Sequence, residues 1–216
     1  KARGNPAQNR EYCSKDGNLL MEHGECPKRG GKTVERAAKN AELMNTPLNL
    51  LVDEGVISLS QAPLIAKAKH LVAQSKLEST EAEECRGIWI YGEPGVGKSH
   101  AVHRSCDDVY IKQQNKWWDG YAGEKVVLLD DFDCKALGHH LKIWSDKWAF
   151  TGEIKGGTVK LSHRYFVITS NYLPEDIWTD DDMMCRAVTR RFRILNMTLG
   201  NRDQHQEDLA KVFETI

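Results

Sequence analysis

The chain has 216 residues, 40% of them apolar and 28% charged, with a formal net charge of −1: ordinary globular composition, enough for one domain with an attachment or two small ones. A near-neutral balance excludes the strongly basic footprint of a dedicated nucleic-acid binder, so any such contact must come from a local patch. No apolar run approaches the roughly 20 residues of a membrane span, and no basic-then-apolar leader opens the chain, which starts on Lys1 and reads as cut from something longer.

Residues 1–27 are basic and loop-like around Tyr12-Cys13-Ser14-Lys15. The six cysteines, Cys13, Cys26, Cys85, Cys106, Cys134 and Cys185, form no C-x-x-C pair and read as reduced intracellular thiols. His23-x-x-Cys26 is half a zinc pattern without a second half at a suitable spacing, which argues against zinc. From Thr33 to about Lys76 the period turns helical. Val34, Ala37, Ala38 and Ala41 share one face, and Leu64, Ile65, Ala68, Leu71 and Val72 share another. Pro63 suits the first turn of its helix. This is a unit of two or three helices, whose apolar faces are either core or a collar between subunits. Leu77–Cys85, rich in Glu, is a solvated linker or a helix end.

From Gly87 to about Leu199 strands and helices alternate. Ile88–Tyr91 is a strand, Lys98–Cys106 a helix, Val109–Lys112 a short strand and Val126–Leu129 a buried one. Cys134–Trp148 is a helix with Leu137, Leu141, Ile143 and Trp144 on one side. Phe150–Leu161 is a hairpin turning at Lys155-Gly156-Gly157, Tyr165–Thr169 a strand, and Arg193–Leu199 a last one. The fold class is α/β, a mostly parallel sheet with helices packed on it. Arg202–Ile216 is an amphipathic tail helix.

Between the first strand and its helix lies Gly92-Glu93-Pro94-Gly95-Val96-Gly97-Lys98-Ser99, the G-x-x-x-x-G-K-S spacing of a phosphate-binding loop. Gly92, Gly95 and Gly97 can turn backbone N–H groups into one cradle at the positive end of the following helix. Lys98 would reach the β- and γ-phosphates of ATP, and Ser99 would give a hydroxyl to Mg²⁺. Val126–Leu129 ends in two acids: Asp130 would hold the Mg²⁺, and Asp131 would orient and deprotonate the attacking water. Ile168-Thr169-Ser170-Asn171 ends the next strand, and parallel strands deliver their C-terminal ends to one edge, so Asn171 is placed to sense the γ-phosphate.

Arg186, Arg190, Arg191 and Arg193 follow an acidic run. With no arginine inside the loop, Arg190 or Arg191 from a neighbouring subunit would serve as finger, pairing with nearby aspartates being the alternative. At the hairpin, Lys155 and Lys160, with Lys147, His163 and Arg164, would grip a phosphate backbone. Asn115–Tyr121, aromatic and charged together, either stacks bases or fills core, with at least one tryptophan in the core. The guanine-reading N-K-x-D pattern is approached only by Asn115–Asp119, one residue too long and ahead of the Asp130 strand, which excludes a GTPase.

NKWWDGY (115–121), VVLLDDF (126–132), KGGTV (155–159) and ITSN (168–171) together resemble the replication-initiator (Rep) proteins of circular single-stranded DNA viruses, circoviruses in particular, whose helicase part belongs to superfamily 3. Gln8–Lys15 resembles the last motif of the family's rolling-circle endonuclease domain. The resemblance implies an endonuclease remnant over 1–27, an oligomerisation unit and linker over 28–86, an ATPase over 87–199 and a tail over 200–216. It also implies ATP with Mg²⁺, a hexameric ring with ATP between subunits, single-stranded DNA (or RNA) as partner, and work in the host nucleus without a membrane. By position, Lys98, Asp131, Asn171 and Arg190 or Arg191 would be catalytic, Ser99 and Asp130 metal-holding and Lys155 DNA-gripping. Tyr12 would be the nicking nucleophile, assisted by Lys15. The family's metal-binding histidine pair lies upstream of Tyr12 and outside this chain. A tyrosine of ordinary pKa near 10 is then poorly activated, and no nicking is expected. A P-loop kinase and a non-enzymatic DNA-binding fragment are the rival readings.

Overall fold

The computed structural model describes residues 6–17 and 31–214. Two compact units divide the chain, Lys1–Lys69 and His70–Ile216. The pairing of His23 with Cys26 lies outside the described residues.

In the first unit, α1 (Pro6–Cys13) is a helix where the sequence reads loop-like. Proline at its first position and the helix formers Ala7, Gln8, Arg10 and Glu11 account for it. Helices α2 (Gly31–Asn45) and α3 (Leu48–Asp53) follow, and α4 (Ala62–Ser75) runs across the boundary into the second unit. Of residues 34–69, Leu51 and Ile57 are buried. Val34, Ala37, Ala38, Ala41 and Leu64, expected on packed or collar-forming faces, are exposed, as are Ala68, Leu71 and Val72 along α4. Among the described residues these side chains are therefore not core, while Ile65 on the α4 face is half-buried.

The second unit is the expected α/β layer structure. Its order is β1 (Gly87–Tyr91), α5 (Lys98–Ser105), β2 (Val109–Ile111), β3 (Val126–Leu129), a 3₁₀ turn (Lys135–Leu137) and α6 (Gly138–Trp144). Then come β4 (Phe150–Ile154), β5 (Gly157–Leu161), β6 (Tyr165–Ser170), α7 (Pro174–Ile177), α8 (Asp182–Thr189), β7 (Phe192–Asn196) and α9 (Arg202–Glu214). Five strands form one parallel sheet in the order β2-β3-β6-β1-β7, while β4 and β5 make a separate antiparallel hairpin.

The period of two along each strand builds two cores. Trp89, Val127, Leu129, Phe166, Ile168 and Phe192 point to one face with Trp118, Leu141, Trp144 and Trp178. Ile88, Ile90, Val126, Leu128 and Val167 point to the other, where Ala101 and Val102 of α5 meet Leu209 and Phe213 of α9. The tail helix is thus a structural layer, also held by Ser105 Oγ donating to the Gln206 carbonyl at 3.1 Å.

Two expectations about element ends are corrected. The helix expected to reach Trp148 stops at Trp144, and Ile143 is 41% exposed on its outer side. The last strand ends at Asn196, leaving Leu199 in solvent. The acidic run before the arginines is a helix start: Asp181 caps α8 by accepting from the Met184 N–H at 2.9 Å.

The rim of the sheet that holds the strands' N-terminal ends is fastened by the buried Arg86. Its guanidinium donates to the Asp146 carbonyl at 3.0 Å, to Lys147 at 3.1 Å, and to the carbonyls of His163 and Thr80.

Candidate nucleotide site

Parallel pairing puts the ends of β1, β6 and β3 at one height, with Tyr91 opposite Ser170 and Leu129 opposite Ile168. The residues that follow each strand therefore meet at a single edge. They line an open cleft of about 580 Å³ with Pro94, Gly95, Gly97, Lys98, Ser99, Asp131 and Asn171 in its wall. Asp130 joins them through Ser99, whose hydroxyl donates to Asp130 Oδ1 at 2.5 Å.

The loop's glycines are required by geometry. At Gly92 a Cβ would collide with the Met197 carbonyl oxygen, and Gly97 has φ +95°, which costs L side chains strain. This shape aims the backbone at the cleft at the start of α5, an anion-favouring position. Lys98 is buried, and its ammonium donates to the carbonyls of Gly92 (2.9 Å) and Glu93 (3.0 Å) and to Asn171 Oδ1 (2.8 Å). Burial pushes its pKa below the ordinary lysine value, while Asp131 and Asp130 pull it back. The donor set suits a magnesium nucleotide: backbone N–H groups and an ammonium for phosphates, a hydroxyl and a carboxylate for a hard cation that keeps most of its water.

The two acids are held by a residue overlooked in the sequence. Buried Thr169 donates its hydroxyl to Asp130 Oδ1 and accepts from the Asp131 N–H at 3.0 Å. Asp131 has φ +48°, a left-handed backbone rare outside glycine that persists only where neighbours fix it. Ser170, also buried, donates to the Phe132 carbonyl at 2.6 Å. Thr169 and Ser170 stand in the polar triplet already singled out, so the pattern carried their signal. Gln114, which reaches the carbonyls of Asp130 and Asp131, carried none.

The arginines lie elsewhere. Gly87 pairs with Phe192, so Arg190 and Arg191 sit at the opposite edge of the sheet, a strand's length or roughly 15 Å from their own phosphate loop. Arg191 is bound to Asp146 by contacts of 2.8 Å and donates to the Ala187 carbonyl at 2.7 Å. Burial works against the Asp146 carboxylate, but hydrogen bonds from Arg191 and the Lys147 N–H hold its pKa below the usual range. Arg190 is exposed and lines a groove of about 470 Å³ with Lys142 and Trp148.

At the hairpin, Lys155 caps an exposed tip and Lys160 projects outward from β5. His163 does not belong with them. It is fully buried, stacked 5.5 Å from the Trp118 ring, with Nε2 hydrogen-bonded to the Trp144 carbonyl at 2.9 Å. Burial drives its pKa down to about 3, so it is a neutral core residue and not a DNA ligand. Trp118 is likewise core, and Trp117 is half-buried beneath Lys116. In the first unit, Tyr12 is 79% exposed near the end of α1, with Lys15 in the turn after it.

A family model described as RNA helicase matches residues 88–150, which include the phosphate loop and both acids. Along its whole length the chain is 33% identical to the replication-associated protein of Porcine circovirus 1, covering 70% of that protein. The chain belongs to the circovirus replication-associated proteins. Within that family, 96% of the chain aligns at 34% identity with the Porcine circovirus 2 protein, covering 67% of it, and 96% aligns at 30% identity with that of Pigeon circovirus, covering 63%. A helicase-type domain implies the use of a nucleotide. No helix among the described residues is long and apolar enough to cross a membrane.

Proposed function

We propose that this chain is the ATP-hydrolysing helicase part of a circovirus-type replication protein, acting on single-stranded DNA from sites between subunits of a ring, a hexamer by family resemblance, in the host nucleus. The observation that carries the proposal is the convergence of Lys98, Ser99, Asp130, Asp131 and Asn171 on one cleft, tied by the Lys98–Asn171 and Ser99–Asp130 hydrogen bonds.

Bound there, Mg²⁺–ATP supplies the phosphoanhydride to be broken and the charge that holds it. Lys98 and the N–H groups of the loop take the phosphate oxygens, exchanging the contacts to Gly92 and Glu93 for stronger charge-assisted ones. Ser99 and Asp130 would hold the cation, which would supply positive charge to the phosphates. The fixed backbone of Asp131 presents its carboxylate to the attacking water and receives the proton. Asn171, from a strand inserted between those of the loop and the acids, stands beside both and orients the water.

Charge developing in the transition state is further stabilised by a guanidinium, and none of the residues that line this cleft is an arginine. Arg190, exposed at the far edge of the sheet, is the better finger toward a neighbour's site, because Arg191 is committed to Asp146. The exposed apolar faces of α2 and α4 would join subunits, and Lys155 and Lys160 would track the strand. Tyr12 would be the family's nicking nucleophile.

The deciding experiment measures ATP hydrolysis against protein concentration, with and without single-stranded DNA or RNA, beside Lys98→Ala. Turnover that rises more steeply than concentration, responds to DNA and vanishes in the variant supports the proposal. DNA-blind turnover strictly proportional to concentration overturns it in favour of a kinase-like enzyme.

A further inference from the structure

The phosphate cleft and the hairpin are joined by one short stretch, residues 112–119, and a single side chain at its tightest point reaches the catalytic acids. Asn115 N–H donates to the Gln113 carbonyl at 2.7 Å, which makes a three-residue turn with Gln114 at its apex. The turn is pinned from inside. Lys112, buried against the rings of Trp144 (4.9 Å) and Trp118 (5.5 Å), donates its ammonium to the Gln113 carbonyl at 2.8 Å and to the Asn115 carbonyl, on either side of Gln114. Gln114 is thereby fixed in the loop beyond β2, next to β3. Its Nε2 donates to the carbonyl of Asp131 at 2.9 Å and of Asp130 at 3.3 Å.

We infer that Gln114 is a positioning residue that holds Asp131 in its catalytic conformation and ties that conformation to the hairpin; this rests on the ATPase reading of the cleft. Asp131 has a left-handed backbone, and its peptide groups are gripped from two sides, the N–H by Thr169 and the carbonyl by Gln114. Releasing one grip lets the residue relax toward right-handed geometry and swings the carboxylate away from the water. The other end of the same stretch is bound to the hairpin. Lys116 pairs with Glu153 at 2.7 Å, the Trp118 N–H donates to the Glu153 carbonyl at 2.8 Å, and Asp119 Oδ1 accepts from the Lys155 N–H at 2.9 Å. The hairpin and Asp131 are therefore joined through the backbone of residues 114–119, which is hydrogen-bonded at both ends.

The test uses the full chain and steady-state ATP hydrolysis. Gln114→Met keeps the length of the side chain and removes its donor. Its kcat falls about tenfold to a hundredfold, the effect of a misplaced catalytic group, while KM for ATP stays within about twofold. Gln114→Glu places a carboxylate against two carbonyl oxygens, so its turnover falls at least as far, again with little change in KM. A mere packing role would not split kcat from KM in this way. Unchanged kcat in both variants, or a rise in KM alone, overturns the positioning role. For the link to the hairpin, Asp119→Ala and Gln114→Met are combined and stimulation by single-stranded DNA is measured. Losses smaller together than their product support it, and independent losses overturn it. If instead the wild type hydrolyses no ATP, or Lys98→Ala is as active as it, the ATPase reading has failed and not this inference.

Discussion

The two units use their apolar residues in opposite ways. In the sheet unit, Trp89, Trp118, Tyr121, Phe132 and Phe166 have no exposure at all, and aromatic rings meet edge-to-face around Trp89 and Trp118. In the helical unit, Leu51 and Ile57 are the buried pair among residues 34–69, while Val34 is 70% and Leu64 71% exposed. The difference separates a part whose order comes from its own interior from a part whose helices carry apolar surface outward, where a second chain can cover it. The chemistry is built on the former and, as proposed, the assembly on the latter.

Substitutions sharpen that division in descending order of effect. Lys98→Ala removes the ammonium from the phosphate loop and lowers ATP turnover on the order of 10²–10³-fold or more by the reckoning for one lost transition-state donor. Assembly mass, measured by light scattering, is unchanged because the helical faces are untouched. Trp118→Ala empties a site in the aromatic core and costs the sheet unit about 3–5 kcal/mol, read from its chemical denaturation.

Acid offers a gentler probe of the same core. His163 keeps a pKa of about 3 when folded against an ordinary 6.5. Below pH 6.5 the unfolded chain binds a proton that the folded one refuses. Stability is then lost at up to about 1.4 kcal/mol per pH unit down to pH 3. His163→Gln flattens that slope in a series of melts. The smallest effect on folding comes from Leu64→Glu with Val34→Glu, within about 0.5 kcal/mol for each exposed site. The same pair reduces assembly and makes hydrolysis proportional to protein concentration. If the double variant assembles as the wild type does, the comparison between the units breaks.

Sequence patterning revealed the sheet unit well and the helical unit only as helices. Runs such as Ile88–Tyr91 and Val126–Leu129 are short, apolar and closed by glycine or acid, so strand, loop and acids are legible in the sequence itself. Faces were harder to assign. Val34 and Leu64 show helical spacing whether they pack inward or wait for a partner, and spacing alone does not distinguish the two. His163 was misplaced because Lys160 and Arg164 surround it in sequence. The alternation Val159, Leu161, His163 continues the inward face of β5, and that period of two was the better guide. Thr169 was visible within its triplet, but its role depends on the register between β3 and β6. Gln114 had no pattern at all, because its part arises from a turn pinned by a buried lysine.

Arg86 has a consequence for where the protein can bend. Its guanidinium, charged at every working pH, grips carbonyl oxygens from Thr80, Asp146, Lys147 and His163. The segments that lead into β4 and out of β5 are thus clamped together through main-chain groups. The hairpin leaves that clamp like a lever from its fulcrum. Displacement at Lys155 has nowhere to be absorbed at the base, so it is delivered at the tip, to the stretch that ends on the acids.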